Sequence, residues 1–466
     1  MYAVQEVTIK TKTNKMDYQT FLEQKKQMGG MHGFKSLWLP DFLFDYQKYL
    51  IDWALLKGKG ATFADTGMGK TPMQLVTAEN IVRHTNKNVL ILTPLSVSHQ
   101  TIEEGSKFGI EVGRSRDGKP NGKITVTNYQ QLDKFDANDY VACLVDESSI
   151  LKNAKGKIKT DVTRFMNKMP YRGLYSATPA PNDFVELGTS SEALGELQYM
   201  DMVSQFFRDT SNDKNPQWST PKYELKGHAT NDFWRWVSSW ARACRKPSDL
   251  GDFDDSKHKL PELIEREHIL QVTQPLPGEL FVRVARTLTD QRKEGKMTMG
   301  ARCDKAKELT LKHDCSILWG DFNYECDHLE KIIPNCVQIS GSDSDEAKEE
   351  KFIAFEKGQI KRLIIKPSIG ALGMNWQHCG HQVYFPSNSY ERYYQGVRRS
   401  WRFGRVGEVY IDIVGTEGGL SILKNIRRKD AEAKRMHEAF ITHMRNELKI
   451  KPKKHSINSL TLPNWI

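Results

Sequence analysis

Residues Ala64–Thr71 have the sequence ADTGMGKT and lie between an apolar run that predicts a strand and PMQLVTAENIV, which predicts a helix. The stretch matches the pattern G-x-x-x-x-G-K-[ST] except at its first position, where Ala64 replaces glycine. Glycines let a loop bring backbone N–H groups close to a phosphate chain, and Gly67 and Gly69 supply that freedom. A strand, a glycine-rich loop and a helix in this order predict a phosphate-binding loop.

The loop also carries side chains suited to a nucleoside triphosphate. Lys70 can reach the β- and γ-phosphates as a point charge, and the Thr71 hydroxyl can bind Mg²⁺. The alternative is a glycine-rich turn with a surface lysine. We predict an ATP site with Mg²⁺ that includes Thr66, Gly67, Met68, Gly69, Lys70 and Thr71.

A pair of acids, Asp146 and Glu147, ends the apolar run VACLVDE, about 75 residues after the loop. One carboxylate at a strand end can hold Mg²⁺, and its neighbour can orient the attacking water and accept its proton. We assign Asp146 to the metal and Glu147 to the water. Two acids at a strand end are common, so this assignment depends on the phosphate loop upstream.

A pair of arginines, Arg399 and Arg402, lies in QGVRRSWR. On a helix, residues three apart share one face. A guanidinium there can stabilise the charge that develops on the transferred γ-phosphoryl group. Arg399 is far from Lys70 in the sequence, so both can meet one ligand only if two lobes close on each other. The alternative is a solvated basic helix.

Strand-like and helical runs alternate in two parts of the chain, which predicts an α/β fold with two parallel-sheet lobes in tandem. Between them lies a segment with few strand signals and helical spacing of Phe233, Trp236, Val237, Trp240, Ala241 and Cys244. We expect a helix with a buried face there, although an aromatic surface for nucleic acid is the alternative. The predicted units are an N-terminal extension (1–34), a first lobe (35–190), a helical insertion and linker (191–285), a second lobe (286–420) and a basic helix and tail (421–466).

Composition limits the partners and the compartment. The formal charge of +10 favours a polyanion, and residues 424–454 hold eleven Lys or Arg against four acids. No stretch of about 18 apolar residues exists, so we expect no membrane span. Seven scattered cysteines without a Cys-x-x-Cys pair favour a reduced cytoplasmic compartment over a disulfide framework or a zinc site.

In this order, these motifs resemble the Swi/Snf-like branch of the superfamily 2 helicases, which is related to the DEAD/DEAH-box proteins. The resemblance covers about residues 40–415 and includes DYQKYLIDWAL, ADTGMGKT, LILTPLSVSHQTIEE, DESSILKN, SATPAPNDFVELG, GALGMN and QGVRRSWRFGR. It implies RecA-like lobes. Ser149 stands where the family usually has histidine, and the short insertion is more like a compact viral or mobile-element enzyme, which would work in the cytoplasm of a prokaryotic host.

The resemblance also implies roles for single residues. Gln47 would read the adenine base, and Gly373 and Gln395 would complete the ATP site. Ser176 and Thr178 would couple the ATP site to nucleic acid. The implied nucleic-acid contacts are Pro94, Gln100, Ser368 and Asn375.

The leading hypothesis is an ATP-dependent motor, a DNA-stimulated ATPase that translocates on duplex or branched DNA. A strand-separating helicase on DNA or RNA is the second. The third belongs to another class: a nucleotide-gated clamp that holds nucleic acid without moving. Glu147 argues against a clamp, which has no need of an acid that positions a hydrolytic water.

Overall fold

The structure, a computed structural model, describes residues 30–181, 183–211, 222–285, 287–370, 374–387 and 389–449. Two sheets in these ranges contain parallel strands only, and a third is a small antiparallel hairpin. The expected α/β fold with two parallel sheets is therefore confirmed. We call the seven-stranded sheet with its helices the first lobe, and the six-stranded sheet with its helices the second lobe.

The first lobe is built on strands that are almost completely buried, as expected for a parallel sheet covered on both faces. Their spatial order is β3-β4-β2-β5-β6-β1-β9. Among the described residues the strands are β1 (Lys59–Ala64), β2 (Asn88–Thr93), β3 (Gly113–Arg114), β4 (Ile124–Asn128), β5 (Tyr140–Asp146), β6 (Tyr171–Tyr175) and β9 (Ala241–Cys244). The loops after β1 and β5, which carry the two predicted ATP motifs, leave the same edge of the sheet because the strands are parallel.

Helices pack on this sheet through apolar side chains that join a single core. The first helix begins at Asp45 and ends at Lys57, and the following residue, Gly58, has a left-handed backbone. The helices of the first lobe are α1 (Asp45–Lys57), α2 (Lys70–Thr85), α3 (Ser98–Lys107), α4 (Lys157–Met166), α5 (Leu187–Leu194), α6 (Tyr199–Phe206) and α7 (Thr230–Trp240).

The second lobe repeats the arrangement with the strand order β10-β15-β14-β11-β13-β12. In the described residues the strands are β10 (Leu263–Leu270), β11 (Ser316–Trp319), β12 (Cys336–Ile339), β13 (Arg362–Ile365), β14 (His381–Tyr384) and β15 (Val409–Thr416). The helices are α8 (Leu288–Met297), α9 (Met299–Thr310), α10 (Asn323–Ile332), α11 (Asp345–Glu356), α12 (Pro367–Gly370), α13 (Tyr390–Val397) and α14 (Leu420–Lys449). The alternation of strands and helices predicted for this lobe is therefore present.

The expected helical insertion at 191–285 is only partly helical. It contains the hairpin β7 (Phe207–Asp209) and β8 (Tyr223–Leu225), and it contributes β9 to the first sheet and β10 to the second. Helix α7 is confirmed, but the continuation of its pattern to Ala241 and Cys244 is wrong, because those residues pair with β1. All four residues of β9 are buried, and this explains the error, since a buried strand and a buried helix face have similar apolar content.

The basic C-terminal helix is confirmed as α14, and it connects the lobes. Near its start, Leu423 packs into the core of the second lobe. Farther along, Met436, Phe440 and Met444 join the core of the first lobe, where the Phe440 ring lies 5.6 Å from Trp234. One helix therefore anchors both lobes, while the predicted tail beyond residue 449 lies outside the described residues.

Two expectations about the environment concern the whole chain. Within the described ranges, no helix combines the length and the apolar character needed to cross a bilayer. All seven cysteines are free thiols, and four of them are buried on strands or helices of the two lobes, at Cys143, Cys244, Cys303 and Cys326.

Candidate active site

The phosphate loop connects β1 to α2 with the backbone that its glycines permit. Gly67 and Gly69 have φ angles of 88° and 77°, in the left-handed region that favours glycine. A Cβ atom on Gly69 would lie 2.2 Å from Gln47 Nε2, and one on Gly67 would lie 2.9 Å from Phe403 Cβ. Both glycines are thus required for backbone conformation and for close packing. The residue packed against Gly67 belongs to the other lobe.

Lys70 and Thr71 are the first two residues of α2, so the helix N-terminus faces the loop. Lys70 Nζ donates to the carbonyl oxygens of Ala64 and Asp65, at 3.1 Å and 3.4 Å. These weak acceptors keep the ammonium inside the loop without neutralising its charge. The loop can therefore offer one positive charge and a set of N–H groups to a phosphate chain.

Asp146 and Glu147 lie beside Lys70, as the sequence predicted. Both are buried, and burial followed by the charge of Glu147 raises the pKa of Asp146, while Lys70 lowers it. Glu147 adopts a left-handed backbone with φ 50°, which is rare for a residue with a side chain. Its Oε2 atom has no hydrogen-bond partner in the described chain. A strained, buried carboxylate with a free oxygen is suited to hold a water or an ion.

The arginine pair reaches this site from the second lobe, but not from a helix. Helix α13 ends at Val397, and both arginines lie in the following turns, so the expectation of one helical face is wrong. The Arg399 side chain folds back and caps the end of the helix, because its Nε donates to the Gln395 carbonyl oxygen at 2.9 Å. Arg399 and Arg402 nevertheless converge, because both donate to the Met374 carbonyl oxygen.

The charge of Arg399 interacts with those of the two acids. Its burial, followed by the charge of Arg402, lowers the pKa of Arg399 to about 10, and Glu147 and Asp146 oppose that shift. Arg402 is held differently, since the acids that raise its pKa are Glu104 of the first lobe and Glu356 of the second. Arg399 is therefore the arginine that this arrangement brings to the acid pair.

A third arginine, which sequence reasoning missed, makes a buried contact between the lobes. Arg398 Nη2 lies 2.7 Å from Asp65 Oδ2, and the Tyr394 hydroxyl donates to Asp65 Oδ1 at 2.6 Å. Burial would raise the pKa of Asp65, but Arg398, Tyr394 and the Thr66 N–H together hold it below its ordinary value. The doublet Arg398-Arg399 was the available signal, but a sequence cannot say which member of a doublet meets which partner.

The predicted adenine-reading residue is bound to the loop itself. Gln47 Nε2 donates to the Met68 carbonyl oxygen at 3.1 Å, and its Oε1 accepts from the Phe44 N–H at 3.0 Å. Tyr46 also donates to the Met68 carbonyl oxygen, at 2.8 Å. Two side chains of α1 thus fix one peptide of the phosphate loop.

Aromatic side chains from three parts of the chain collect beside this peptide. The His258 and Phe403 rings stack with centroids 5.0 Å apart, and Phe44 lies 5.3 Å from His258. His258 is in the linker and Phe403 follows the arginine pair, so the cluster exists only because the lobes meet. Neither residue shows a periodic pattern that would have identified it from the sequence.

The predicted coupling residues lie under the same junction. Ser176 Oγ accepts from the Thr178 N–H at 3.1 Å, which folds the segment after β6. Gln395 of the second lobe donates to Thr178 Oγ1 at 3.5 Å. The structure therefore brings together Ser176, Thr178 and Gln395.

The predicted nucleic-acid contacts lie on both lobes. Pro94 is buried after β2, and Gln100 donates to Glu104 on α3 in a narrow groove that α11 and Met374 also line. Ser368 is exposed on α12. Asn375 Oδ1 has no hydrogen-bond partner within the described ranges, and Gly373 lies outside them. The groove beside Gln100 is also lined by Leu95 and Met374, the chain neighbours of Pro94 and Asn375.

A separate cluster in the second lobe resembles a metal site in composition. Ligand-type atoms of His313, His381 and Asp412 lie within 4.8 Å of one another. The two imidazoles stack at 3.8 Å with an interplanar angle of 10°, so their nitrogens do not point toward a common centre. Arg266 already binds Asp412, with Nε 2.9 Å from Oδ1. The cluster is therefore an ion pair with histidines around it, and its donors do not fit a cation.

Comparison with known proteins gives no match to this chain, either among protein-family models or among curated sequences.

Proposed function

We propose that the chain is an ATP hydrolase that uses Mg²⁺ and moves along nucleic acid, as a DNA-stimulated translocase on duplex or branched DNA. One observation carries the proposal: Arg399 of the second lobe is buried, and its charge interacts with Asp146, which ends β5 of the first lobe, and with Glu147, which follows it. Lys70 lies next to the same pair. Hydrolysis at such a junction depends on how the lobes meet, which is the property that a motor requires.

The residues present fit a nucleotide with its metal. Glycines with left-handed backbone, a helix N-terminus and Lys70 together form a phosphate cradle. Thr71 and Asp146 would hold Mg²⁺, which supplies positive charge beside the phosphates when bound. The free Oε2 of buried Glu147 leaves an acceptor for the attacking water.

The chemistry is the attack of water on the γ-phosphorus of ATP, which breaks the bond to the β-phosphate oxygen and yields ADP and phosphate. Glu147 orients the water and accepts its proton. Lys70 and Arg399 stabilise the negative charge that develops on the transferred group. Because Arg399 belongs to the other lobe, opening of the lobes would remove this stabilisation and stop turnover.

Charge supports nucleic acid as the track. The chain carries a formal charge of +10, and α14 exposes several cations on the side away from the two cores. Part of that charge is compensated, since Arg428 pairs with Glu432 and Lys434 with Asp430. Binding through cations to a phosphate backbone is independent of sequence and weakens steeply with salt.

Two assays on the same protein test the proposal, with Lys70→Ala as the inactive control. The first measures ATP-dependent displacement of a third strand from a triplex, and the second measures release of a labelled strand from a tailed duplex. A translocase displaces the third strand and leaves the tailed duplex largely intact. Release from the tailed duplex without triplex displacement would reject translocation in favour of strand separation, and nucleotide-dependent binding with no displacement would favour a clamp.

A further inference from the structure

Arg398 has no part in the chemistry proposed above, since its partner is a carboxylate of the protein and not a phosphate. The guanidinium lies between aromatic rings, with Cζ 4.4 Å from the Trp401 centroid and 5.2 Å from that of Tyr394. Its Nε and Nη1 atoms have no hydrogen-bond partner in the described chain. A buried cation in such surroundings depends on its single carboxylate, Asp65.

Asp65 belongs to the phosphate loop, and three of its own groups hold it in place. Its N–H donates to the Cys244 carbonyl oxygen at 2.9 Å, which fixes the residue to the edge strand β9. Its Oδ1 accepts from the Thr66 N–H at 2.6 Å, which shapes the first turn of the loop. Its carbonyl oxygen accepts from Lys70 Nζ. The carboxylate partner of Arg398 is thus hydrogen-bonded to β9, to the next residue of the loop and to Lys70.

Other ion pairs between the lobes lack this connection. Arg116 on the first lobe pairs with Glu346 on α11 at 2.7 Å, and both side chains are largely exposed. Neither residue contacts the loop. The two pairs join the same lobes with the same chemistry, so Arg116 is a matched control for Arg398.

We propose that Arg398 is a positioning residue that sets the phosphate loop, through Asp65, when the second lobe is in place. The inference rests on the proposed ATPase and adds a second route by which lobe closure reaches the site, separate from Arg399. Nucleotide binding requires the loop of the first lobe alone, whereas turnover requires the Asp65–Arg398 pair. Loss of the pair therefore lowers kcat and has little effect on nucleotide affinity.

The kinetic test uses full-length Arg398→Gln, Asp65→Asn, the double variant, Arg398→Lys and Arg116→Gln. We expect kcat to fall about 10-fold or more in each of the first two, and the double variant to be no worse than the poorer single variant, because neighbours in one contact are not additive. ADP binding in the presence of Mg²⁺ should change less than about 3-fold. Arg398→Lys should recover part of kcat, and Arg116→Gln should behave like the wild type.

Unchanged kcat in Arg398→Gln would overturn the proposal, and so would losses that multiply in the double variant. If Arg398→Gln fails to fold, Tyr394→Phe provides the same test, since it removes only the hydroxyl that binds Asp65. Its expected loss of kcat is smaller, about 3-fold.

A measurement without ATP separates this proposal from the proposed function. In the nucleotide-free chain, hydrogen–deuterium exchange of peptides that cover residues 61–73 should be faster in Arg398→Gln and Asp65→Asn than in the wild type or in Arg116→Gln. Equal exchange in all variants would overturn the role of Arg398. Faster exchange in a chain that hydrolyses no ATP would support the contact while rejecting the proposed function.

Discussion

Two buried aspartates, Asp65 and Asp412, have similar chemistry in different parts of the molecule. Asp412 is bound by Arg266 and by His268 and His381, with His268 Nε2 2.9 Å from Oδ1 and His381 Nε2 3.0 Å from Oδ2. Those partners lie on β10 and β14, the two neighbours of its own strand β15. The partners of Asp65 come from the other lobe.

The difference shows that a perturbed carboxylate does not identify a functional site by itself. In both residues burial would raise the pKa. Hydrogen bonds from other groups and the charge of a nearby arginine together lower it below the ordinary value. Asp412 stabilises one sheet in any arrangement of the lobes. Asp65 is paired only while the lobes meet, so its pairing depends on conformation.

The largest expected effect comes from a substitution in the phosphate loop. Lys70→Ala should abolish ATP hydrolysis, because the loop loses the charge that reads the β- and γ-phosphates. Steady-state ATPase assays should show wild-type turnover for Lys87→Ala, which removes an exposed lysine of the same lobe. Hydrolysis by Lys70→Ala at the wild-type rate would mean that the loop is not a phosphate site.

Glu147→Gln should lower turnover by about 100-fold or more while ATP and Mg²⁺ still bind, since the amide keeps the shape but cannot accept a proton. Binding and turnover are measured on the same preparation, with Glu111→Gln as the exposed control. Near-normal turnover would remove Glu147 from the role of general base.

Asp412→Asn should affect stability and leave turnover unchanged, the reverse of the loop variants. Arg266 would lose the negative charge that it pairs with, at a cost of about 2 kcal/mol in the free energy of unfolding, since Arg266 is itself partly exposed. Urea unfolding gives the stability, and kcat per folded molecule should stay within about 2-fold of wild type. A selective loss of kcat would assign the cluster to the site.

Acid should weaken the Asp412 cluster in a predictable window. Because its pKa is depressed in the folded chain, the carboxylate contributes full stability above its unfolded pKa of about 4 and loses that contribution as the pH falls toward the folded pKa. The difference in unfolding free energy between wild type and Asp412→Asn should therefore narrow from pH 5 to pH 3. A constant difference would mean that Asp412 does not titrate as described.

The smallest expected effect belongs to the exposed pair between the lobes. Arg116→Ala should change the free energy of unfolding by less than about 1 kcal/mol, because both partners are solvated. The same urea titrations measure it. A loss as large as that of Asp412→Asn would show that solvent exposure does not separate the two kinds of pair.

The sequence predicted most strands of the two sheets because buried parallel strands are short apolar runs. The strand that precedes the loop with Lys70 and the strand that ends at Asp146 were correctly located. It failed where one local pattern allows two structures. Ala241 and Cys244 continue the helical spacing of α7 but form a strand, and Arg399 follows a helix without belonging to it.

Contacts between the lobes were the other limit. Asp65, Arg398, His258 and Phe403 meet only after both lobes have folded, and no periodicity in the chain records that meeting. The far edge of the second sheet, with its histidines and Asp412, likewise depends on strand order, which sequence spacing does not give.

Whether the chain is a DNA-stimulated ATPase is decided by its rate of ATP hydrolysis without nucleic acid and with single-stranded DNA, duplex DNA, forked DNA or RNA. Lys70→Ala supplies the background. A DNA-stimulated translocase predicts a rate that rises several-fold with duplex or forked DNA and falls again as salt weakens binding. No hydrolysis above the Lys70→Ala background with any of these polymers would contradict the claim.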